Sequence, residues 1–204
     1  MTTYSGRIEL IFGSMFAGKS SYLISRIERY LIANEKVVAI KWAGDTRYTG
    51  EPYIVTHSGL QCRSIPCDDN DLLTIYPRIK DADVICIDEG QFFKDIVEFC
   101  EFLANKGHVV IVAALAGTYF RMGFHDILNL VPKCEKVTML HAICMNCYED
   151  GASFTDMTRD DVVRDGSDLI GGVESYNAVC RKCYYQNKEE PKNKFLEKEK
   201  ERTK

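Results

Sequence analysis

The chain has 204 residues, 46% hydrophobic and 27% charged, which excludes wholesale disorder and fits one domain, or one with a small appendage. A net charge of −4 and a pI near 5.6 argue against a protein whose main task is neutralising a nucleic-acid backbone, and no apolar run approaches the ~18 residues that a membrane span needs. Nine cysteines follow an opening segment, Met1 to Ile8, that has neither a basic nor an apolar signal region, so reduced thiols or a metal site are expected in a soluble, cytoplasmic protein.

Arg7 to Phe12 is a short apolar run that stops at Gly13, the pattern of a buried strand. From Ser20 to Asn34 the residues Leu23, Ile27, Tyr30 and Leu31 form a helical stripe. Val37 to Ile40 is a second strand, and Val84 to Ile87 a third that ends in the pair Asp88-Glu89. Asp95 to Ala104 alternates at helix period with Gly107 just past its end, and Val109 to Val112 is the next strand. Continuous apolar strands separated by helices predict a doubly wound α/β domain with a parallel sheet over residues 1–141. After Val137 the pattern changes. Ala142 to Tyr185 shows no helical stripe and carries two Cys-x-x-Cys pairs around a long polar stretch, which predicts a small second domain at 142–187. Residues 188–204 alternate Lys and Glu around Phe195-Leu196 and are expected to be a charged, flexible tail.

Gly13-Ser14-Met15-Phe16-Ala17-Gly18-Lys19-Ser20 matches G-x-x-x-x-G-K-[ST] at every fixed position and lies between a strand and an amphipathic helix. Glycines let backbone N–H groups curl around phosphate oxygens. Lys19 supplies a point charge at the outer phosphates, and Ser20 can ligate Mg²⁺. The loop points to a nucleoside triphosphate and makes the sheet a P-loop sheet of the RecA-like type. Asp88 can then hold the Mg²⁺ shell, leaving Glu89 to act as a base, either on water in an ATPase or on a substrate hydroxyl in a kinase.

Cys144-x-x-Cys147 and Cys180-x-x-Cys183 are two chelating knuckles, and four thiolates together give a closed structural zinc site. The 32 residues between the pairs suggest a metal that staples the base of a long loop. Cys86 and Cys100 read as core fillers.

These residues are specific enough for a resemblance to a family. The chain resembles the type II thymidine kinases from about Arg7 to Tyr185, through the phosphate loop, Lys41 with Asp45-Thr-Arg47-Tyr48, Thr56-His57-Ser-Gly59 and Ile87-Asp-Glu-Gly-Gln-Phe-Phe93. The likeness continues in Val112-Ala-Ala-Leu115, Asn129-Leu-Val-Pro132, Ile170-Gly-Gly172, Tyr176 and the four cysteines. It implies transfer of the γ-phosphate of ATP, with Mg²⁺, to the 5′-hydroxyl of thymidine, and to deoxyuridine as well, in deoxynucleotide salvage. Glu89 would be the catalytic base, and ATP would also be met by Asp45, Arg47, Asp88 and Gln91. The loop between the cysteine pairs would be a lasso over the nucleoside. Backbone groups of Ser167, Asp168, Leu169, Ile170 and Gly171 would hold the base, and Met15, Leu115, Thr155 and Tyr176 would enclose its 5-methyl group. Phe92, Tyr119 and Phe124 would line the pocket. A homotetramer inhibited by dTTP, with neither nucleic acid nor membrane as partner, completes that picture. Two departures are Ala116, where the family usually has Asp, and Tyr119, in a place commonly held by Phe.

A zinc-bearing P-loop ATPase acting on nucleic acid is the competing reading; the acidic pI and the lack of a basic stripe weigh against it. With the phosphate loop on its own sheet, ATP binding is expected to be indifferent to the metal.

Overall fold

A computed structural model of the chain describes residues 6–45, 52–56, 58–68, 72–158 and 175–186. Its first half runs β1 (Arg7–Gly13), α1 (Lys19–Ile32), β2 (Val37–Trp42), β3 (Tyr53–Val55), β4 (Gln61–Arg63), β5 (Ile65–Cys67), α2 (Tyr76–Ile79) and β6 (Val84–Ile87). There follow α3 (Ile96–Asn105), β7 (Val109–Leu115), α4 (His125–Leu130), β8 (Lys136–Leu140), β9 (Phe154–Met157), β10 (Tyr176–Val179) and α5 (Arg181–Tyr185).

Six strands pair in parallel in the order β5-β2-β6-β7-β1-β8. β7 lies inside this sheet, and all its residues from Val109 to Ala114 are buried, which is why it reads as an unbroken Val/Ile/Ala run. One face packs Ile11, Ile111 and Ala113 against Leu23, Ile24 and Ile27 of α1. The other packs Leu10, Val110 and Val112 against Ile96, Phe99 and Leu103 of α3 and Ile127 and Leu130 of α4. Each fully buried side chain of this kind contributes about 1.5–3 kcal/mol. The sheet covered on both faces is the expected architecture.

α1 stops two residues before the expected Asn34. Asn34 takes the left-handed conformation at φ 61°, and the N–H of Glu35 reaches back to the carbonyl of Tyr30 at 3.0 Å, closing the helix end. In the cysteine-bearing segment β9 and β10 pair antiparallel, with Thr155 opposite Ala178. The short helix α5 also lies there, although no helical stripe is visible in the sequence. Five residues are too few to show a period, and Cys183 and Tyr184 are buried in a cluster with Ala142, Cys144, Ala152, Ala178 and Val179. Arg47, the Ser167–Gly171 stretch and the charged tail lie outside the described residues.

Candidate active site

The phosphate loop leaves the C-terminal end of β1, and Asp88-Glu89 leaves the C-terminal end of β6, with β7 lying between those two strands. Crevices at such strand ends are where open parallel sheets bind ligands. Gly13 is needed for packing as well as for the loop, because a Cβ there would run into the carbonyl of Leu140 on β8. Lys19 Nζ donates to the carbonyl of Ser14 at 2.8 Å, curling the loop, and Ser20 Oγ donates to Asp88 Oδ1 at 3.2 Å. These side-by-side oxygens are a hard donor set that suits Mg²⁺.

A cavity of about 270 Å³ opens here. Of the expected triphosphate residues, Met15, Phe16, Gly18, Lys19, Ser20, Asp45 and Asp88 line it, together with Glu89 and Leu115. Asp45 is buried and lies 3.9 Å from the buried ammonium of Lys41. Ser21, Val55, Thr56 and Ser58 complete the wall. The resemblance drew on the Thr56-x-Ser58-Gly59 stretch without giving it a role. Its hydroxyls lie 3.0 Å apart in a tight turn, and that Ser/Thr/Gly turn was the available signal.

Glu89 is buried and left-handed, with φ 55° and ψ 42°. For a non-glycine residue this costs about 1–3 kcal/mol and persists only where neighbours hold it. Gln91 Nε2 donates to Glu89 Oε2 at 2.5 Å, and the N–H of Leu115 donates to Gln91 Oε1 at 2.9 Å.

Met15, Tyr119 and Tyr176 form one buried cluster, with Leu115 packed against it, and Thr155 Oγ1 accepts from the N–H of Met15 at 3.2 Å. Of the seven expected nucleoside residues that are described, the structure brings these five together. Phe124 instead packs against the main core. Phe92 stacks on Trp42, ring centroids 4.1 Å apart, a contact between residues 50 apart that no local pattern announces.

The sulfurs of Cys144, Cys147, Cys180 and Cys183 lie within 4.8 Å of one another, and Cys147 and Cys180 are 3.8 Å apart. Four sulfurs at about 2.3 Å from a tetrahedral ion would be separated by ~3.8 Å, so the donor set fits zinc. Burial pushes the Cys144 thiol up, but backbone N–H groups of Cys180, Cys147 and Asn146 outweigh it and bring it down to about 6. Those donors favour the thiolate at Cys144, whereas burial and then the sulfurs beside it raise Cys183, and Cys147 is raised as well. Among the described residues no helix is long and apolar enough to cross a membrane.

A strand–loop–helix phosphate cradle, an acid pair one strand away and a four-cysteine cluster that could hold a metal define the class, a P-loop nucleotide-binding α/β protein. Residues 6–184 match the family model described as thymidine kinase. Thymidine kinase 1 of Dictyostelium discoideum is 42% identical over 193 residues, covering 93% of this chain and 82% of that protein. The thymidine kinase of sheeppox virus (strain KS-1) is 46% identical over 180 residues, covering 88% and 97% respectively. The chain belongs to the thymidine kinase family. Among solved structures the Legionella pneumophila ATPase DotB is a distant match, at 14% identity and a TM-score of 0.42 over 73% of this chain and 44% of that one.

Proposed function

We propose that this enzyme transfers the γ-phosphate of ATP to the 5′-hydroxyl of thymidine, with Glu89 as the base. The observation that carries the reading is that Lys19 and Glu89 line one cavity together with Met15 and Leu115, which also belong to the apolar cluster of Tyr119 and Tyr176.

A ribose 5′-hydroxyl is too weak an acid for a carboxylate to ionise before reaction. The transition state is loose, so Glu89 need only accept the proton as the new P–O bond forms. Lys19 meets the outer phosphates, and Arg47 is the second cation of this reading. Ser20 and Asp88 would hold Mg²⁺, which supplies neutralising charge on the phosphate oxygens when bound. The loop between the cysteine pairs would exclude water that could otherwise be phosphorylated, and zinc on the four cysteines would fix both ends of that loop. Ser167–Gly171 would present backbone groups to the base.

Thymidine triphosphate would satisfy both halves of this cavity at once, which supports feedback inhibition by that product. A homotetramer in the cytoplasm, working in deoxynucleotide salvage, belongs to the same reading. Incubation with ATP and a panel of nucleosides, separating nucleotide products from free phosphate, tests it. Thymidine monophosphate is the expected product, with less from deoxyuridine. Free phosphate without nucleotide product would make the chain an ATPase and overturn the reading.

A further inference from the structure

Gln91 follows Glu89 by two residues, in the turn that leaves β6, and both ends of its amide are engaged. Nε2 donates to Glu89 Oε2 at 2.5 Å, while Oε1 accepts from the N–H of Leu115 at 2.9 Å. The second bond fixes the identity of the first. A backbone N–H can only donate, so the amide oxygen must face Leu115 and the NH₂ must face the carboxylate. Leu115 is the last residue of β7, and the six residues before it are all buried, so the anchor stands on a strand packed on both sides. Gly90 makes the reach possible. A Cβ there would come within 2.6 Å of Cγ1 of Val112, so the turn lies directly on β7.

We propose that Gln91 is a positioning residue for Glu89, holding the carboxylate plane against the end of β7 rather than contacting the triphosphate. The inference rests on the reading of Glu89 as the base. Glu89 and Leu115 line the cavity, and Gln91, bonded to both, is not among its lining residues. A general base works only within about 2.6–3.2 Å of the proton it takes, and a misplacement of 1 Å can cost ~10²-fold. Tying down Oε2 fixes the direction of the other carboxylate oxygen.

The test is a kinetic cycle on the full-length enzyme. Gln91→Met removes both bonds at similar volume. Gln91→Glu keeps an acceptor for the N–H of Leu115 but sets a second carboxyl against Glu89. Because two carboxyls that close do not both ionise, its pH–rate profile is recorded beside kcat, with circular dichroism showing that each variant is folded. Each should lower kcat by ~10–10²-fold while KM for ATP and for thymidine stays within about twofold. In a Glu89→Gln background, Gln91→Met should cause no further loss, because a residue that acts through Glu89 has nothing left to position. Additive losses in the double variant would overturn the proposal, as would a raised KM for ATP with kcat unchanged. A slow Glu89→Gln beside Gln91 variants of normal kcat would sink this inference alone. A Glu89→Gln enzyme of normal kcat would remove the base, and the inference with it.

Discussion

Ser14 donates its hydroxyl to the carbonyl of Ala152 at 2.7 Å, fastening the phosphate loop to the chain between the first cysteine pair and β9. One residue on, the N–H of Met15 donates to Thr155 Oγ1, and Phe16 and Ala17 pack against the cluster that contains Cys144 and Cys183. These contacts argue for the opposite of indifference, a phosphate cradle partly built on the cysteine module and so sensitive to its metal.

Cys147→Ser or Cys180→Ser should therefore lower metal content, thymidine affinity and ATP affinity together. Ser14→Ala should be milder, about 0.5–1.5 kcal/mol in ATP binding, since the carbonyl of Ala152 keeps its bond from the N–H of Ala142. Metal analysis with calorimetric ATP titration reads both. Full ATP affinity in a folded, metal-free Cys147→Ser protein would show that the loop stands on the sheet alone.

Glu89→Gln should retain ATP and thymidine binding and lose ~10²–10⁴ in kcat, the share of a positioned general base. Lys19→Ala should behave differently, weakening triphosphate binding and turnover alike, because a charge at the phosphates serves ground and transition states. Binding titrations beside steady-state rates separate the two. Normal ATP affinity in Lys19→Ala would mean that the phosphates lie elsewhere.

The phosphate loop, four of the six sheet strands and the cysteine cluster were legible because each leaves a local mark: fixed glycines at fixed spacing, continuous apolar runs, or two paired thiols. β5 has three residues and β8 is half exposed, so neither shows such a run. What was not legible depends on distant residues. Tyr53–Val55 and Gln61–Arg63 are three-residue strands that exist because they pair with each other, and three residues show no alternation. Trp42 carries no signal of its stacking on Phe92. Gln91 could be named as a site residue, but its hold on Glu89 depends on where β7 ends.

The root of β1 makes a separate prediction about stability. Glu9 is buried and accepts from Arg26 Nη2 at 2.7 and 2.9 Å and from Arg7 Nε at 3.0 Å. Glu9→Ala would strand two guanidinium groups, and breaking a buried pair costs ~3–5 kcal/mol. The low end is expected, because both arginines keep some contact with water. Gly13 lies at the opposite end of the strand, so activity per folded molecule should hold. Urea denaturation and a specific-activity assay check this, and a change under 1 kcal/mol would make the network a surface feature.

Trp42 is the chain's single tryptophan and stacks on Phe92 with its ring inclined by 22°. If Phe92 contacts the nucleoside, saturating thymidine should change the emission of Trp42, and the change should titrate with the thymidine affinity found by calorimetry. An emission spectrum indifferent to thymidine would take Phe92 out of the pocket.

The base pocket gives the last prediction. Leu115 packs beside Met15, Tyr119 and Tyr176 and is also one of the residues lining the cavity. Its backbone N–H, which holds Gln91, is untouched by changes of side chain, so the two roles of this position separate cleanly. Leu115→Phe should crowd the place of a 5-methyl group and depress kcat/KM for thymidine more than for deoxyuridine, since overpacking rejects the larger ligand first. One methyl in an apolar pocket is worth ~1–3 kcal/mol, so the preference should move by roughly 10-fold or more. Competition between the two nucleosides at fixed ATP measures that ratio directly. Equal losses on both would show Leu115 to be core, and the methyl pocket would have to be sought around Thr155 instead.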